Sequence, residues 1–330
     1  MKTFIYPTYD SKRDKSGNLY IDSFRKAFES DPRFKVCNTW ARSETLGLLL
    51  NLRASLFILH WVDLIPSKPL GWLQTLFFRA GVILARLRGG KIVWVLHNKE
   101  AHDDKSSKPA ELMQWMSGKA DYVLTHSEEG LNFFKQKYPQ SKARCFYIPH
   151  PVYDSSVYPS GDRLLWDYII WGNISRRKKV LEFVQFASQC KELDNRTIHI
   201  CGRCPDPVLD QEIRNSLPAN VTYENKFLTD DELKTRISSA SAILFTYDGG
   251  SVLSSGALIY SLNFLKPIIG PRVGSFADMQ GIVSCYDSFA EIPSIPLSQD
   301  NAPLIREYLE DNSWQKFPDK FLSQTGLSDL

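Results

Sequence analysis

Short apolar runs alternate with amphipathic stretches along most of this chain, and the alternation predicts strands that alternate with helices. In the first half, the runs at 55–60 and 91–96 are typical of buried strands. The pattern stops at the proline- and serine-containing stretch 149–161 and starts again at Trp166. Strands and helices in this order predict right-handed βαβ units around parallel sheets, so we expect two doubly wound, Rossmann-like α/β domains in series.

The length supports this division, because 330 residues are enough for two separate hydrophobic cores. We place the domains at 1–152 and 153–302 and expect their ligand-binding edges to face each other across a cleft. With 43% apolar and 23% charged residues, the composition is that of a globular protein. A net charge of +3 is too small to favour nucleic acid, and the chain shows neither an apolar leader nor a membrane-spanning apolar run. We therefore expect a cytoplasmic protein without a nucleic-acid partner.

The stretch from Tyr247 to position 271 reads as the end of a strand, a glycine-rich turn, a helix and a further strand. A glycine-rich turn that leads into a helix leaves unpaired backbone N–H groups at the positive end of the helix dipole, where a phosphate binds well. Ser254 and Ser255 add hydroxyl donors, and Gly256 lets a ligand approach the backbone. The stretch predicts an anion site, and the alternative is a strand–turn–helix unit without a ligand.

A second candidate for anion binding follows a predicted strand that ends at Gly172. Four cations stand in succession before the next amphipathic helix, namely Arg176, Arg177, Lys178 and Lys179. Cations at a helix start oppose the helix dipole, and an anion bound among them would remove this unfavourable interaction. The alternative is a solvated basic loop. Since both loops follow strands of the same predicted sheet, a diphosphate between them would satisfy both.

The strand at 91–96 leads directly into a cluster of polar and ionisable residues, which would therefore lie at the carboxyl edge of the first sheet. A His, Asp or Glu held close to an acceptor hydroxyl can take its proton as a general base. The candidates for this role are His97, Glu100, His102, Asp103 and Asp104. His60 and Asp10 are weaker candidates, and His150 at the predicted hinge has either a ligand contact or a structural role. For any single one of these residues, a structural or surface role is the alternative.

The segment 68–91 combines a large apolar face with cations, among them Trp72, Phe77, Arg79 and Arg86. This combination suits a helix that lies on an anionic membrane surface. The alternative is a core helix of the sheet with a basic solvent side.

In order and spacing, these motifs resemble the donor domain of GT-B-fold glycosyltransferases, in particular family-4-like enzymes of bacterial polysaccharide biosynthesis. Residues 172–182 are similar to that group's Gly-Arg-x-x-x-x-Lys-Gly segment, whose Arg and Lys bind the donor diphosphate. Lys178 takes the Lys position, whereas Asn173 stands at the Arg position, so Arg176 or Arg177 would supply the second cation. Further segments are similar in the same order. The segment 198–202, which ends at Gly202, is similar to the strand and glycine that follow, and 220–223 with 227–233, which begins at Phe227, is similar to the segment beside the nucleotide base. The segments 254–258 and 266–271 are similar to the donor-phosphate helix and its following strand.

One departure concerns two glutamates that retaining enzymes of this group carry eight positions apart across the last loop and helix. Counted back from Lys266, these positions fall near Val252 and Tyr260, and no Glu lies between 233 and 291. An inverting enzyme on the same fold would need a base from elsewhere, and the cluster at 97–104 is the expected source.

The resemblance implies a hexosyltransferase of surface polysaccharide biosynthesis. It would move a sugar from a nucleotide-diphosphate sugar, with UDP-sugar favoured, to a hydroxyl of a glycan or polyprenyl-linked acceptor. The resemblance also implies that 1–152 binds the acceptor, that 153–302 binds the donor, and that helices in 303–330 pack back on the first domain. No cofactor and no metal are expected, and segment 68–91 would place the enzyme peripherally on the inner face of the cytoplasmic membrane. The alternatives are a nucleotide-sugar 2-epimerase-like isomerase and a non-catalytic protein that binds sugar nucleotides or glycans.

Overall fold

The computed structural model describes residues 1–8, 19–38, 44–99, 106–159, 161, 163–248, 250, 252–298 and 300–327. The chain divides into two compact units, one formed by Met1–Tyr153 with Asn312–Leu330 and the other by Asp154–Asp311. Within the described ranges, the strands form two parallel sheets of six, each flanked by helices. This architecture confirms the prediction of two doubly wound α/β domains.

The first unit is built around strands whose side chains are mostly apolar and buried. In chain order, its elements are β1 (Lys2–Tyr6), α1 (Leu19–Glu29), β2 (Lys35–Val36), α2 (Glu44–Leu50), β3 (Leu56–His60), α3 (Gly71–Leu87), β4 (Lys91–Leu96), α4 (Lys108–Ser117), β5 (Tyr122–Thr125), α5 (Glu128–Lys137) and β6 (Arg144–Tyr147). The sheet order is β2-β1-β3-β4-β5-β6. All five residues of β3 are buried, as expected for a parallel strand that is covered on both faces.

The second unit repeats the alternation. Its elements are β7 (Trp166–Trp171), α6 (Val180–Ala187), β8 (Ile198–Gly202), α7 (Pro207–Asn215), β9 (Val221–Asn225), α8 (Asp230–Ser238), β10 (Ala240–Leu244), α9 (Gly256–Ser261), β11 (Ile268–Pro271), α10 (Gly274–Asp278), β12 (Val283–Tyr286) and α11 (Ala302–Asp311). The sheet order is β12-β11-β10-β7-β8-β9, so the winding direction reverses between β7 and β10. Ligands of open α/β sheets bind outside the carboxyl ends of the strands at such a reversal.

The C-terminal helices belong to different units. Helix α12 (Phe317–Thr325) completes the core of the first unit, where the ring centroid of Phe321 lies 5.3 Å from that of Phe28. Helix α11 instead packs in the second unit and buries Ile305 and Leu309 there. The predicted C-terminal helices are thus divided between the units, with α12 in the first and α11 in the second.

Candidate functional site

Two glycines bring the carboxyl ends of β7 and β8 into close contact. Gly172 follows β7 with φ +97°, and Gly202 ends β8 with φ +140°, a region that residues with side chains rarely adopt. A Cβ atom on Gly202 would lie 2.1 Å from the carbonyl oxygen of Gly172, which leaves no room for another residue. Both glycines, predicted as donor-site residues, thus lie side by side at the edge where such sheets bind ligands.

Lys178 is buried at the carboxyl end of β7 although it carries a charge. The residue is 7% exposed, and its Nζ donates to the carbonyl oxygen of Trp171 at 3.1 Å and lies 5.3 Å from the ring centroid of Tyr247. Gly172 makes room for it, since a Cβ there would stand 2.9 Å from Nζ. An ammonium has three donors, and a buried charge is unfavourable without a partner, so this group is suited to bind an anion.

The basic loop and the glycine-rich stretch are joined by direct contacts. Thr246 Oγ1 donates to the carbonyl oxygen of Lys178 at 2.5 Å, and the backbone N–H of Asp248 donates to the carbonyl oxygen of Arg177 at 2.8 Å. The ammonium of Lys179 lies 3.1 Å from the carboxylate of Asp248. The structure therefore brings together the two loops in which anion binding was predicted, at the reversal between β7 and β10.

The two arginines of the basic loop differ in what surrounds their charges. Arg176 lies 3.3 Å from Asp206 and 3.1 Å from Glu212, so two carboxylates already face its guanidinium. Arg177 is exposed and forms no ion pair with any residue that the structure describes. Of the two, Arg177 is the one whose charge is available to a bound anion.

The start of α9 uses one of its predicted donors for its own cap. Ser255 is buried, and its Oγ accepts from the backbone N–H of Leu258 at 3.2 Å and donates to the hydroxyl of Tyr247 at 3.4 Å. This hydroxyl satisfies the helix terminus as an N-cap. Ser254 is half-buried beside it, and Gly256 begins a helix of six residues. Ser254 and the backbone at Gly256 are thus better placed to contact a ligand than Ser255.

An exposed ring and an unexpected carboxylate complete this edge. Phe227, which comes shortly after β9, is 74% exposed. At the two positions where glutamates were expected, Val252 is buried and Tyr260 donates its hydroxyl to Asp230 at 2.7 Å. A carboxylate therefore lies next to the second position, although it comes from α8. The sequence around α9 carries no signal for this acid, because it arrives from another element.

Two pockets of the second unit lie at opposite edges of its sheet. A pocket of about 340 Å³ lies at the carboxyl edge, and its lining includes Lys179, Tyr247 and Arg272. A larger pocket of about 530 Å³ is lined by Arg196 and Lys266, which precede strands and so mark the amino edge. Because the smaller pocket adjoins the basic loop, it rather than the larger one belongs to the candidate anion site.

In the first unit, histidines follow four neighbouring strands at the carboxyl edge of the sheet. His60 ends β3, His97 and His126 directly follow β4 and β5, and His150 comes shortly after β6. Because β3, β4, β5 and β6 are adjacent in that order, the rings meet around Tyr20 of α1. The ring centroid of Tyr20 lies 5.1 to 5.6 Å from each of the four imidazoles. We call these five residues the histidine cluster.

Only one of the predicted catalytic residues can be placed. The others, Glu100, His102, Asp103 and Asp104, lie outside the described residues, as does Asp10. The ring of His97 stacks on Trp61 with centroids 4.6 Å apart and 17° between the planes, and its Nε2 lies 3.0 Å from Nδ1 of His60. Burial, together with His60 and His150, lowers the pKa of His97 well below its usual value. Its imidazole is therefore neutral near pH 7 and can either accept a proton or donate a hydrogen bond.

His126 and His150 each have a defined tautomer. Nδ1 of His126 donates to the carbonyl oxygen of Ile148 at 2.8 Å, so its Nε2 accepts from the hydroxyl of Tyr20 at 2.7 Å. His150 donates from Nδ1 to the carbonyl oxygen of Pro151 at 2.8 Å, and burial lowers its pKa to about 4. His150 is thus buried in the histidine cluster of the first unit. Sequence reasoning missed His126 and Tyr20.

A buried acid that the sequence did not single out fixes the turn after β4. Asp63 lies in a short 3-10 turn after β3 and accepts from Nδ2 of Asn98 at 3.0 Å. Burial raises the pKa of Asp63, and the bond from Asn98 opposes this effect. The ends of β3 and β4 are thereby tied next to His97. In the part of the chain that the structure describes, no three His, Cys, Asp or Glu side chains are arranged to hold a metal ion.

Helix α3 is apolar on two opposite sides. One side packs inside the first unit, where Phe78 and Val82 are fully buried. The other side carries four large apolar residues that are between 43% and 78% exposed and that we call the α3 stripe: Trp72, Leu76, Ile83 and Leu87. Large apolar side chains that are exposed next to one another are typical of a contact surface. Among the described residues, no helix is both long enough and apolar enough to cross a membrane.

The fold is shared with solved glycosyltransferases. HepE from Anabaena, solved in complex with UDP, superposes with a TM-score of 0.63 at 12% identity, over 98% of this chain and 99% of HepE. WaaB, a lipopolysaccharide outer core galactosyltransferase, superposes with a TM-score of 0.61 at 14% identity, over 98% of this chain and 100% of WaaB. TarM superposes with a TM-score of 0.59 at 11% identity over 85% of this chain, which spans 58% of the TarM chain.

These identities are low, and they show the fold alone. The two parallel sheets and their flanking helices are those of the GT-B fold, as the sequence predicted. No protein-family model matches the chain, and no curated protein matches it either.

Proposed function

We propose that this chain is a glycosyltransferase that moves a sugar from a nucleotide-diphosphate sugar to a hydroxyl of a glycan acceptor. The observation that carries the proposal is the contact between the basic loop and the glycine-rich stretch, at the β7–β10 reversal of a GT-B fold. The neighbours support a nucleotide sugar as the ligand, since HepE was also solved with UDP-glucose.

In this proposal the second unit binds the donor. Lys178 and Arg177 hold the diphosphate oxygens, and the backbone at Gly172 and Gly202 lets them approach. Positive groups fixed at this place stabilise the charge that develops as the nucleotide leaves. In principle, such cations and backbone N–H groups supply this stabilisation without a metal ion. The exposed ring of Phe227 offers a surface for the base, for which uracil is our first choice.

The first unit binds the acceptor, and its segment 97–104 supplies the base for an inverting transfer. A base must be held within hydrogen-bond reach of the acceptor hydroxyl, and this segment follows β4 at the carboxyl edge of the sheet. Single alanine replacements of its ionisable residues test the assignment. We expect one of them to abolish transfer and keep nucleotide binding, and transfer that survives every replacement would contradict it.

Two assays test the proposed function. A thermal-shift panel of UDP, GDP, ADP and CMP identifies the nucleotide, because a ligand that binds only the folded state raises the unfolding temperature. The matching nucleotide sugar is then incubated with and without glycan acceptors, and we expect turnover that requires the acceptor. Isomerisation of the donor without an acceptor would instead indicate a 2-epimerase-like enzyme. Binding without any turnover would indicate a non-catalytic binding protein.

In this proposal the acceptor is lipid-linked and the enzyme binds to the inner face of the membrane, and the α3 stripe supports the second part. Four exposed apolar side chains along one helix face suit insertion at the boundary between headgroups and acyl chains. The exposed Arg88 follows the helix and favours an anionic surface.

Sedimentation with vesicles that contain phosphatidylglycerol tests this part. We expect binding at low salt. The double substitution Leu76→Glu and Leu87→Glu should weaken it by about 100-fold or more, because each buried leucine contributes about 1.5–3 kcal/mol. Val208→Glu is the matched control, since Val208 is 59% exposed in the second unit. A protein that ignores these vesicles, or whose binding both sets of substitutions weaken equally, would contradict the membrane proposal.

A further inference from the structure

The contact between His60 and His97 leaves one buried nitrogen without a partner. Nδ1 of His60 lies 3.0 Å from Nε2 of His97, so one of these nitrogens donates and the other accepts. The second nitrogen of His60, Nε2, is buried and has no hydrogen-bond partner within the described ranges. Burial and His126 lower the pKa of His60 well below its usual value, so the ring carries a single proton. The position of that proton decides whether Nε2 is a hydrogen-bond donor or an acceptor.

The two arrangements differ in the group that is left unpaired. If His97 donates, the proton of His60 is on Nε2, and a buried N–H has no acceptor. If His60 donates, its Nε2 is bare, and the unpaired group is an acceptor. In protein backbones, buried N–H groups without a partner are rarer than unsatisfied acceptors, and the same preference applied to the imidazole favours donation by His60. The hydroxyl of Tyr20, which donates to His126, does not change this balance, because it forms no hydrogen bond with Nε2 of His60.

We infer that His60 is a positioning residue that holds His97 in the tautomer with its proton on Nδ1, so that His97 is a hydrogen-bond donor and not the base. Stacking on Trp61 keeps the ring in the orientation that this bond requires. A donor at Nδ1 can hold a sugar or phosphate oxygen. The consequence for catalysis rests on the proposed function, in which the base is then another member of the segment 97–104.

The first test is the ¹⁵N spectrum of histidine-labelled protein, recorded near pH 7 without ligand, because bare and protonated ring nitrogens have separate shifts. His97→Gln assigns the signals of His97, and His60→Asn those of His60. We expect a protonated Nδ1 and a bare Nε2 on both rings. A protonated Nε2 on His97 would overturn the inference, whatever the protein does to sugars.

The second test reverses the bond. The amide of Asn at position 60 can donate from roughly the place of Nδ1, whereas the carboxylate of Asp there can only accept. His60→Asn should keep the tautomer of His97 and most of kcat. His60→Asp should move the proton of His97 to Nε2 and lower kcat by about 100- to 1,000-fold, as for one lost transition-state donor. An unchanged His97 spectrum in His60→Asp would contradict the inference. If that variant does not fold, the wild-type spectrum decides.

A control and a negative outcome separate this inference from the proposed function. His199 is a histidine of the second unit whose ring stacks on Trp166 at 4.2 Å, and His199→Asn should change neither the His97 spectrum nor kcat. If it shifts the His97 signals as much as His60→Asp does, the effect is a general response to losing a histidine and the inference fails. If the spectra are as expected and the wild-type protein transfers no sugar, the tautomer stands and the proposed function fails.

Discussion

The carboxyl edges of the two sheets have the same place in their units and opposite chemistry. In the second unit the edge carries cations next to glycine backbone, with Lys178 buried and Arg177 exposed. In the first unit the edge carries four imidazoles that pack around Tyr20. Burial is the main cause that lowers the pKa values of these histidines. An edge of fixed cations suits an anion, whereas an edge of neutral imidazoles suits directed hydrogen bonds and proton transfer. The shared fold does not decide this division, since it lies in the residues that follow each strand.

Acidification should produce the largest difference in stability between the two units. Burial lowers the pKa of His150 to about 4 from its usual 6.5, so between these values the unfolded chain binds more protons than the folded one. Stability is therefore lost as the pH falls from about 6.5 to about 4, by about 3 kcal/mol for this residue. His60, His97 and His126 act in the same direction. In the second unit, His199 is the only described histidine, and its pKa is also lowered, to about 4.

Hydrogen exchange of the whole protein at pH 7 and pH 5, corrected for the intrinsic rates, measures this difference. We expect peptides from β3 to β6 to lose more protection at pH 5 than peptides from β7 to β10. Equal losses in both units would mean that the histidine cluster is not buried in its neutral form.

Gly202→Ala should disrupt the edge of the second unit. The new Cβ would meet the carbonyl oxygen of Gly172 at 2.1 Å, and φ of +140° is itself unfavourable for alanine. We expect a loss of about 3 kcal/mol or more, from overpacking and backbone strain together. Thermal unfolding measures it, with Gly89→Ala as the control. Gly89 also has positive φ, but an added Cβ there would meet nothing within 4 Å, so its loss should be about 1 kcal/mol. Similar losses for both would show that the contact with Gly172 is unimportant.

The arginine pair gives the smallest and most selective effect. Arg177→Gln should weaken nucleotide binding by about tenfold, or about 1.4 kcal/mol, because its charge is available to the diphosphate. Arg176→Gln should weaken it by less than about twofold, since Asp206 and Glu212 already face that guanidinium and an exposed pair contributes little. Isothermal titration calorimetry compares the two variants. The reverse order would assign the second cation to Arg176 instead.

The sequence was sufficient for the elements because periodicity is local. The predicted strand at 91–96 coincides with β4, and that at 55–60 begins one residue before β3. The predicted anion loops could each be found from glycines and cations within a short stretch. The contact between the two loops could not be predicted in this way, since Thr246 and Lys178 are 68 positions apart in the sequence. They meet because β10 lies beside β7 in the sheet.

The histidine cluster shows what sequence reasoning overlooked. A histidine ends or follows each of the successive strands β3, β4 and β5, and this regularity was visible in the sequence. Whether such residues meet depends on the order of strands in the sheet, which periodicity does not contain. Tyr20 could not be found in this way, because it lies on α1 and reaches His126 only through the packing of that helix. The same reason hides Asp230 beside Tyr260.

The most direct test of the central claim is the affinity of the protein for UDP and for uridine, measured by calorimetry in the wild type and in Lys178→Met. If Lys178 binds the diphosphate, the substitution should weaken UDP by about 100-fold, as for a lost charge-assisted bond, and leave uridine within about twofold. Circular dichroism confirms that the variant is folded. If another nucleoside diphosphate binds best, it and its nucleoside replace this pair. An unchanged affinity for the diphosphate, or an equal loss for diphosphate and nucleoside, would contradict the account.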